Sequence, residues 1–393
     1  MPDPAEATPP TRRLTLSLGL HQLLAWATTF YVPAVIVGDV ARDLGTSPSV
    51  LIAGFSGALL ITGVCSPMVG SWIGRAGGRK PMAAGALISA AGLLLLAGAP
   101  NLATWWLAWA VLGLGMALSL YDAAFATAGA TLGPAAPATI TGIALIGGFA
   151  STLGWPIGSL LLNELGWRST LLAYAALQVV ISLPLILSTV PALVACSALP
   201  SKPPPEDHRR DRLQLASLTG FFALRWFITS AIAAHVLLLM SGLGLRPAQA
   251  MMAAMLIGPG QVAGRLLDWL AARWLGPLSR ARIGALLFPI GSLLLLSGLP
   301  EAAFGFALLY GVSNGILTVN RGTLPLLILG PQGYAARIGQ IALPVMLAQA
   351  SAPTLAAPLI ARVAEPEVIL LAGAVAGVSA LMLLPLRIRH AGG

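Results

Sequence analysis

Twelve apolar stretches follow one another along the chain, each long enough to cross a lipid bilayer, and they constrain its fold more than any other feature. A transmembrane helix needs about 20 mostly apolar residues. The stretches, named M1 to M12 in chain order, cover residues 14–37, 50–73, 82–99, 103–128, 139–162, 170–199, 213–241, 248–272, 281–299, 302–329, 338–361 and 367–386. Strands of a membrane β-barrel would instead alternate apolar and polar residues. The sequence therefore predicts an all-α membrane protein with twelve transmembrane helices.

The charged fraction agrees with a chain that lies mostly in lipid. Only 9% of the 393 residues are charged, against about 25% in an average soluble domain. The 22 Lys and Arg and the 13 Asp and Glu cannot form the polar surface that a soluble protein of this length needs. These numbers exclude an ordinary soluble enzyme and a disordered protein. The two cysteines, Cys65 and Cys196, match neither a disulfide framework nor a zinc site, and we expect no metal and no cofactor.

Basic residues are distributed unequally between the loops, and this bias predicts the orientation. The N-terminus is polar and rich in proline before Arg12 and Arg13, which is typical of a cytoplasmic tail without a cleavable signal peptide. With this end inside, fifteen of the 22 basic residues face the cytoplasm, four face the opposite side and three lie at membrane depth. We expect both termini on the inner side of a bacterial cytoplasmic (inner) membrane. The net charge of +9 then reflects topology and requires no nucleic acid.

The longest polar stretch, PSKPPPEDHRRDR at residues 200–212, has the prolines and mixed charges of a solvated linker. It divides the chain into halves. The predicted organisation is a cytoplasmic tail (1–13), an N-terminal six-helix bundle (14–199), this cytoplasmic linker, a C-terminal six-helix bundle (213–386) and a second cytoplasmic tail (387–393).

The two halves resemble each other. LGP at 132–134 is followed by IAL at 143–145, and LGP at 329–331 is followed by IAL at 341–343. Trp26 in M1 corresponds to a tryptophan, Trp226, in M7. Two parallel repeats of six helices, related by an axis along the membrane normal, are a recurring plan among secondary transporters. The bundles are therefore expected to be pseudo-symmetric.

The loop between M2 and M3 reads GSWIGRAGGRKP at residues 70–81, and helix M8 ends in GRLLD at 264–268. The first segment resembles the loop signature of the major facilitator superfamily, although Gly74 replaces its usual acidic residue; the second is its counterpart and has the acid, Asp268. In that family the motif helps to latch the two halves. The resemblance implies a conformational latch formed by Gly70, Arg75, Arg79, Gly264, Arg265, Asp268 and Arg273.

M5 contains GWPIG at residues 154–158, which is similar to the glycine–proline signature of helix 5 in the same superfamily. The resemblance implies a packing role for Gly154, Pro156 and Gly158 at the domain interface. This signature is more often reported in exporters, although organic-anion porters have variants. The resemblance spans nearly the whole chain and lies loosely near the monocarboxylate and organic-anion porters. M4 departs from the family because Trp109 stands where an arginine is common.

Three charged residues at membrane depth are the main candidates for function. A charge at the bilayer centre costs about 2.5–3.5 kcal/mol, so it is seldom kept without a role. Arg225 lies in M7, Arg321 in M10 and Asp122 in M4, and the family resemblance places these helices around the central cavity. Two arginines and one aspartate favour an anionic substrate, because a guanidinium binds an oxyanion bidentately. Asp122 is the candidate proton carrier.

The other candidates are neutral or titratable side chains in the same helices. We expect substrate binding by Arg225, Arg321, Asn314, Gln261 and Tyr121, and proton coupling by Asp122 and His235. Each has a structural alternative. Arg225 can anchor helices through backbone carbonyls, Asp122 and Arg321 can form a structural ion pair, and the amides and His235 can simply join helices. Asp122 can pair with either arginine or with neither.

The resulting hypothesis is a secondary transporter that works by alternating access around a mid-membrane site. Its expected cargo is a small organic anion, similar to a monocarboxylate, coupled to protons. Its other expected partner is membrane lipid, and we expect a monomer. The alternatives are proton-driven efflux of drugs or toxic compounds and, from another class, a receptor or membrane-embedded enzyme. The sequence has no G-x-x-x-x-G-K-[ST] loop for ATP.

Overall fold

The computed structural model describes residues 9–192 and 208–388, and all regular secondary structure in these two ranges is helical. Residues 1–8, 193–207 and 389–393 lie outside the described residues. The predicted N-terminal tail, the linker and the C-terminal tail therefore fall largely outside them, as does Cys196.

Sixteen α-helices make up the described chain. They are α1 (Pro9–Ala25), α2 (Val32–Asp43), α3 (Pro48–Ala76), α4 (Arg79–Ala97), α5 (Leu102–Ser119), α6 (Tyr121–Leu132), α7 (Ala136–Gly147), α8 (Ala150–Leu177), α9 (Leu183–Thr189), α10 (His208–Gly242), α11 (Pro247–Met255), α12 (Ile257–Ala271), α13 (Pro277–Leu294), α14 (Ala302–Leu329), α15 (Tyr334–Ile360) and α16 (Glu365–Leu381).

These helices account for the twelve predicted spans. Nine segments of the described chain are long and apolar enough to cross a membrane. One of them, Leu102–Thr189 with 88 residues, contains M4, M5 and M6, and α16 with 17 residues is M12. Large apolar side chains cover the outside, such as Met68 with 75% and Trp274 with 76% of its surface exposed. This surface suits lipid and would be unfavourable in water.

Several spans depart from a regular α-helix. M1 consists of α1, a π-helical turn at Trp26–Phe30 and α2. M6 contains a second π-helical turn at Gln178–Ser182. M5 and M6 are joined at Gly166, whose φ of 76° favours glycine. M4 breaks between α5 and α6, where Leu120 is extended. Such irregularities inside a membrane protein are frequent at functional sites, because they leave backbone groups to be satisfied by other partners.

The chain forms two compact units, residues 1–202 with 331–343, and residues 203–330 with 344–393. The core of the first unit includes Trp105 and Trp109 of α5, which are at most 1% exposed. The core of the second includes Phe288 of α13 and Phe306 of α14, both fully buried. The first part of α15 thus clusters with the first unit, although the sequence assigned M11 to the C-terminal bundle.

Glycines set the closest helix contacts in both units. A Cβ added to Gly264 of α12 would lie 2.2 Å from the Val312 carbonyl oxygen of α14. A Cβ added to Gly70 of α3 would lie 2.2 Å from the Ala335 carbonyl oxygen of α15, within the first unit. Small residues allow such close approach of helix backbones in membranes. Gly70 and Gly264, both assigned to the predicted latch, therefore allow neighbouring helix backbones to pack closely.

Candidate functional site

The first cluster of polar groups surrounds the break in M4. The amides of Ala123 and Ala124 both donate to the Leu120 carbonyl, at 3.0 and 3.1 Å. The Ser119 carbonyl is taken by side chains of α1 instead: Gln22 Nε2 donates to it at 2.6 Å, and His21 Nε2 lies 3.1 Å away. The break makes a new helix N-terminus in the middle of the span, because α6 begins at Tyr121.

Asp122 lies in the first turn of α6. Anionic side chains are favoured at this end of a helix, because the amide dipoles point towards them. Its carboxyl group is half-buried, interacts electrostatically with Tyr334, and borders a small cavity shared with Ser66, Gly70 and Gly339 of the same unit. The sequence-predicted proton carrier therefore sits at a helix terminus inside the membrane.

Tyr121 joins Asp122 to a group of aromatic rings. Its ring stacks on Phe125 with centroids 5.1 Å apart and lies 5.1 Å from Trp26 in the π-helical turn. Trp26 also donates from Nε1 to Gln22 Oε1 at 3.2 Å, so the aromatic rings and the polar groups at the break are connected.

The second cluster of polar groups lies in the other unit, around Arg225 of α10. This arginine is only 1% exposed. Its Nη2 donates to Ser313 Oγ of α14 at 2.8 Å, and its guanidinium lies over the Phe288 ring at 5.0 Å. Among the described residues, Nε and Nη1 have no hydrogen-bond partner. A buried guanidinium with unused donors is costly unless an acceptor reaches it.

Neutral polar groups continue this second cluster. Thr229 donates its hydroxyl to Asn314 Oδ1 at 3.0 Å, and the Tyr310 hydroxyl donates to the Thr229 carbonyl at 3.0 Å. Ser313 in turn donates to the Gly284 carbonyl at 2.6 Å. Asn314, a predicted substrate ligand, thus directly follows Ser313, the hydrogen-bond partner of Arg225, in α14.

Arg321, the other predicted arginine, lies on α14 one residue after Asn320. It is 6% exposed, and its guanidinium lies over the Trp226 ring at 5.1 Å. Trp226 is the neighbour of Arg225 in the sequence. The structure therefore gathers both arginines on the α10 and α14 pair, each against an aromatic face, which is a favourable setting for a guanidinium.

The two remaining predicted ligands lie apart from these hydrogen bonds. Gln261 of α12 is half-buried, and its carbonyl oxygen would lie 2.2 Å from a Cβ on Gly315. His235 of α10 is half-buried, with Nε2 3.3 Å from the Pro353 carbonyl oxygen. Neither side chain is bonded to the Arg225 network in the described part of the chain.

The acidic residue of the predicted latch is deeply buried. Arg280 Nη1 bonds both Asp268 Oδ2 at 2.5 Å and the Asp268 carbonyl at 2.8 Å, and Asn320 donates to Oδ1 at 3.2 Å. Arg265 is 6% exposed, whereas Arg273 is exposed and lies 5.7 Å from the Trp269 ring. The ion-pair partner of Asp268 is therefore Arg280, a residue outside the predicted latch.

The other predicted motifs are placed within the first unit. Arg75 is exposed and Arg79 half-buried at the α3–α4 turn. In α8, a Cβ on Gly154 would lie 2.9 Å from Ala27 Cβ, and one on Gly158 would lie 2.5 Å from the Tyr174 hydroxyl. Pro156 is exposed between these two contacts. These glycines pack M5 against M1 and M6.

Sequence reasoning left several contacting residues out of the candidate site. Gln22, Ser119 and Ser313 are small or neutral residues in apolar spans and carry no charge that would mark them. His21 and Gln22 form a polar pair inside M1, and that pair was the available signal. The hydrogen bonds that Ser313 and the Ser119 carbonyl make to other helices could not be predicted, because the sequence does not show which helices are neighbours.

The long apolar helices of the described chain, with polar groups buried among them, define a polytopic membrane protein. The sequence profile of the Major Facilitator Superfamily matches residues 18–334, and the chain belongs to this family. Its members are transporters rather than enzymes, so the protein is a multi-pass membrane transporter.

Solved structures of the same family share the fold. The human organic anion transporter MFSD10 (TETRAN) has a TM-score of 0.70 at 17% identity, over 96% of this chain and 100% of that one. The proton:xylose symporter XylE, bound to 6-bromo-6-deoxy-D-glucose, has a TM-score of 0.71 at 15% identity, over 95% of each chain. FucP in the outward conformation has a TM-score of 0.70 at 14% identity, over 96% of this chain and 98% of that one. Comparison with curated proteins finds no significant match.

Proposed function

We propose that the protein is a secondary active transporter that moves a small organic anion, similar to a monocarboxylate, coupled to protons. The observation that carries this proposal is Arg225, a 99%-buried guanidinium whose Nε and Nη1 donate to no described residue. The mechanism is alternating access, in which a mid-membrane site opens to each side in turn. In this proposal the C-terminal bundle supplies the anion-binding arginines, and the N-terminal bundle supplies Asp122, the main proton carrier.

The electrostatics of the second unit support an anion. Arg225 bonds only the hydroxyl of Ser313 among the described residues, and a neutral hydroxyl does not compensate a buried charge. Arg321 adds a second guanidinium on α14, over Trp226. A carboxylate satisfies two guanidinium N–H groups at once and neutralises the charge. Asn314, next to Ser313, is the adjacent polar side chain proposed for the same ligand.

Asp122 supports proton coupling, because its half-buried carboxyl lies in the first turn of a membrane-embedded helix. Gain or loss of a proton there changes the charge of the first unit by one. We propose that this change accompanies the passage of the anion. His235, further along α10 than Arg225, is the second proposed proton-carrying group. Tyr121 and Gln261 are proposed as neutral contacts with the substrate.

The anion is tested in proteoliposomes with a panel of isotope-labelled acetate, lactate, pyruvate and benzoate. Arg225→Gln and Arg321→Gln should each lower carboxylate uptake by about 10–100-fold, since a hydrogen bond to a charged group contributes about 1.5–3 kcal/mol. Arg209→Gln, an exposed position on the same helix as Arg225, is the matched control and should leave uptake unchanged. Full uptake in both arginine variants would exclude the anion proposal.

Efflux of drugs or toxic compounds is the second candidate, and the aromatic rings of the first unit favour it. Trp26, Phe30, Tyr31 and Trp155 form a chain of ring contacts with centroids 4.6–5.6 Å apart, and Trp155 is 48% exposed. Such rings suit flat apolar compounds. Retained resistance to a neutral or cationic compound in the two arginine variants would favour efflux over anion transport.

The remaining assignments belong to the same proposal. We propose a monomer in a bacterial inner membrane with both termini in the cytoplasm, as the loop charges predict. We also propose that the α3–α4 and α12–α13 connections form the conformational latch. The buried Asp268–Arg280 pair supports a rigid anchor in the second connection, whereas Gly74 leaves the first without an acid.

A further inference from the structure

Two side chains of M1 bond the backbone carbonyl that is freed at the break in M4. Residues 119–121 read Ser-Leu-Tyr and contain neither glycine nor proline. An uninterrupted helix would bond the Ser119 carbonyl to the amide of Ala123, but that amide donates to Leu120 at 3.0 Å. The two side chains that reach the Ser119 carbonyl, from His21 and Gln22, are both fully buried.

The hydrogen bonds define the role of each ring nitrogen of His21. Because Nε2 faces a carbonyl oxygen, it must carry the proton. In the neutral ring Nδ1 is then an acceptor, and the hydroxyl of Ser182, 2.6 Å away, donates to it. Ser182 ends the π-helical turn of M6, and Gln178 at its start donates to Thr28 of the M1 turn at 2.7 Å. The π-helical turn of M6 therefore contacts both His21 and the π-helical turn of M1.

The second repeat provides an internal comparison. Counted from the matching tryptophans, Trp26 and Trp226, the positions of His21 and Gln22 are occupied by Phe221 and Phe222. These rings are fully buried and bring no hydrogen-bond donor. M10, the counterpart of M4, runs unbroken from Ala302 to Leu329. The bundle with donors at these two positions has the broken helix, and the bundle without them has the continuous one.

We infer that His21 and Gln22 are positioning residues for Asp122: they hold the Ser119 carbonyl, and thereby keep Asp122 at the N-terminus of a half-helix inside the membrane. This inference rests on the proposed role of Asp122 as proton carrier. The consequence is that proton coupling depends on the Nε2 donor of His21, while the bond between Nδ1 and Ser182 serves only to orient the ring.

Two substitutions of His21 separate these bonds. The amide nitrogen of glutamine reaches about as far as Nε2, so His21→Gln keeps the donor to Ser119 and loses the Nδ1 acceptor. Asparagine is shorter and matches Nδ1, so His21→Asn keeps an acceptor for Ser182 and loses the donor. Gln22→Met removes the second donor at similar volume. The readouts are hydrogen–deuterium exchange of peptides covering residues 116–125, which needs no ligand, and the ratio of pH-driven lactate accumulation to lactate exchange.

His21→Asn and Gln22→Met should speed exchange in this segment and lower the accumulation-to-exchange ratio by about tenfold, equivalent to one hydrogen bond of about 1.4 kcal/mol. His21→Gln should stay within about twofold of the unmodified protein on both readouts. If His21→Gln is as impaired as His21→Asn, or more so, the inference is wrong. If Asp122→Asn itself leaves pH-driven accumulation intact, the proposed function fails instead, and the exchange rates still decide whether M1 holds the break.

Discussion

M4 and M10 occupy matching places in the two repeats, yet M4 is broken near its middle and M10 is continuous. M4 is broken at Leu120, and neutral side chains satisfy the freed Ser119 carbonyl. M10 is one continuous helix that carries Asn320 and Arg321. Asn320 donates to the Ile316 carbonyl of its own helix at 2.8 Å. In M4 a backbone carbonyl is thus bonded by side chains of another helix, whereas M10 is continuous and carries one cation, Arg321.

The difference between M4 and M10 follows from a difference between the helices at matching positions, M1 and M7. Replacing the polar pair His21–Gln22 by Phe221–Phe222 removes the donors that a broken helix needs. In the second unit, buried charged side chains such as Arg225 and the Asp268–Arg280 pair add to the hydrogen bonds of neutral groups. Charged groups at membrane depth are retained when they are paired or functional. Substitutions in the neutral contacts of the first unit and in the charged contacts of the second unit can therefore be compared.

The largest effect is expected where the second unit depends on a buried ion pair. Asp268→Ala should lower the free energy of unfolding by about 3–5 kcal/mol, because Arg280 would be left charged and buried. Reversible unfolding in mixed micelles measures this change. Asp39→Ala, which breaks an exposed pair with Arg42 in the first unit, is the control and should cost no more than about 1 kcal/mol. Equal losses in the two variants would contradict the distinction between buried and exposed pairs.

A smaller change in the free energy of unfolding is expected from substitutions at the N-termini of α5 in M4 and α14 in M10. Asn101 caps α5, with Oδ1 accepting from the Thr104 amide at 3.0 Å, whereas Glu301 before α14 makes no such bond. Asn101→Ala should therefore cost about 1 kcal/mol in the same unfolding assay. Glu301→Ala should change the free energy of unfolding by less than about 0.5 kcal/mol. A larger loss of unfolding free energy in Glu301→Ala than in Asn101→Ala would contradict the expected difference in capping between M4 and M10.

Sequence pattern was most informative where a helix is continuous. M10 was predicted at 302–329, and α14 runs from Ala302 to Leu329. The break in M4 was missed because it depends on donors about 100 residues away in M1 rather than on a local proline or glycine. The partner of Asp268 was missed for a similar reason, since Arg280 follows on the next helix. Hydropathy indicates which segments lie in lipid, but it does not indicate which helices are in contact with one another.

We propose, above all, that Asp122 of the first unit carries the proton and that Arg225 and Arg321 of the second unit bind the anion. This proposal is tested most directly by measuring pH-driven accumulation and exchange of the same labelled carboxylate in proteoliposomes containing Asp122→Asn. We expect that accumulation against a gradient is lost while exchange continues, because the variant has no titrating carboxyl at that position. Accumulation equal to that of the unmodified protein would contradict it.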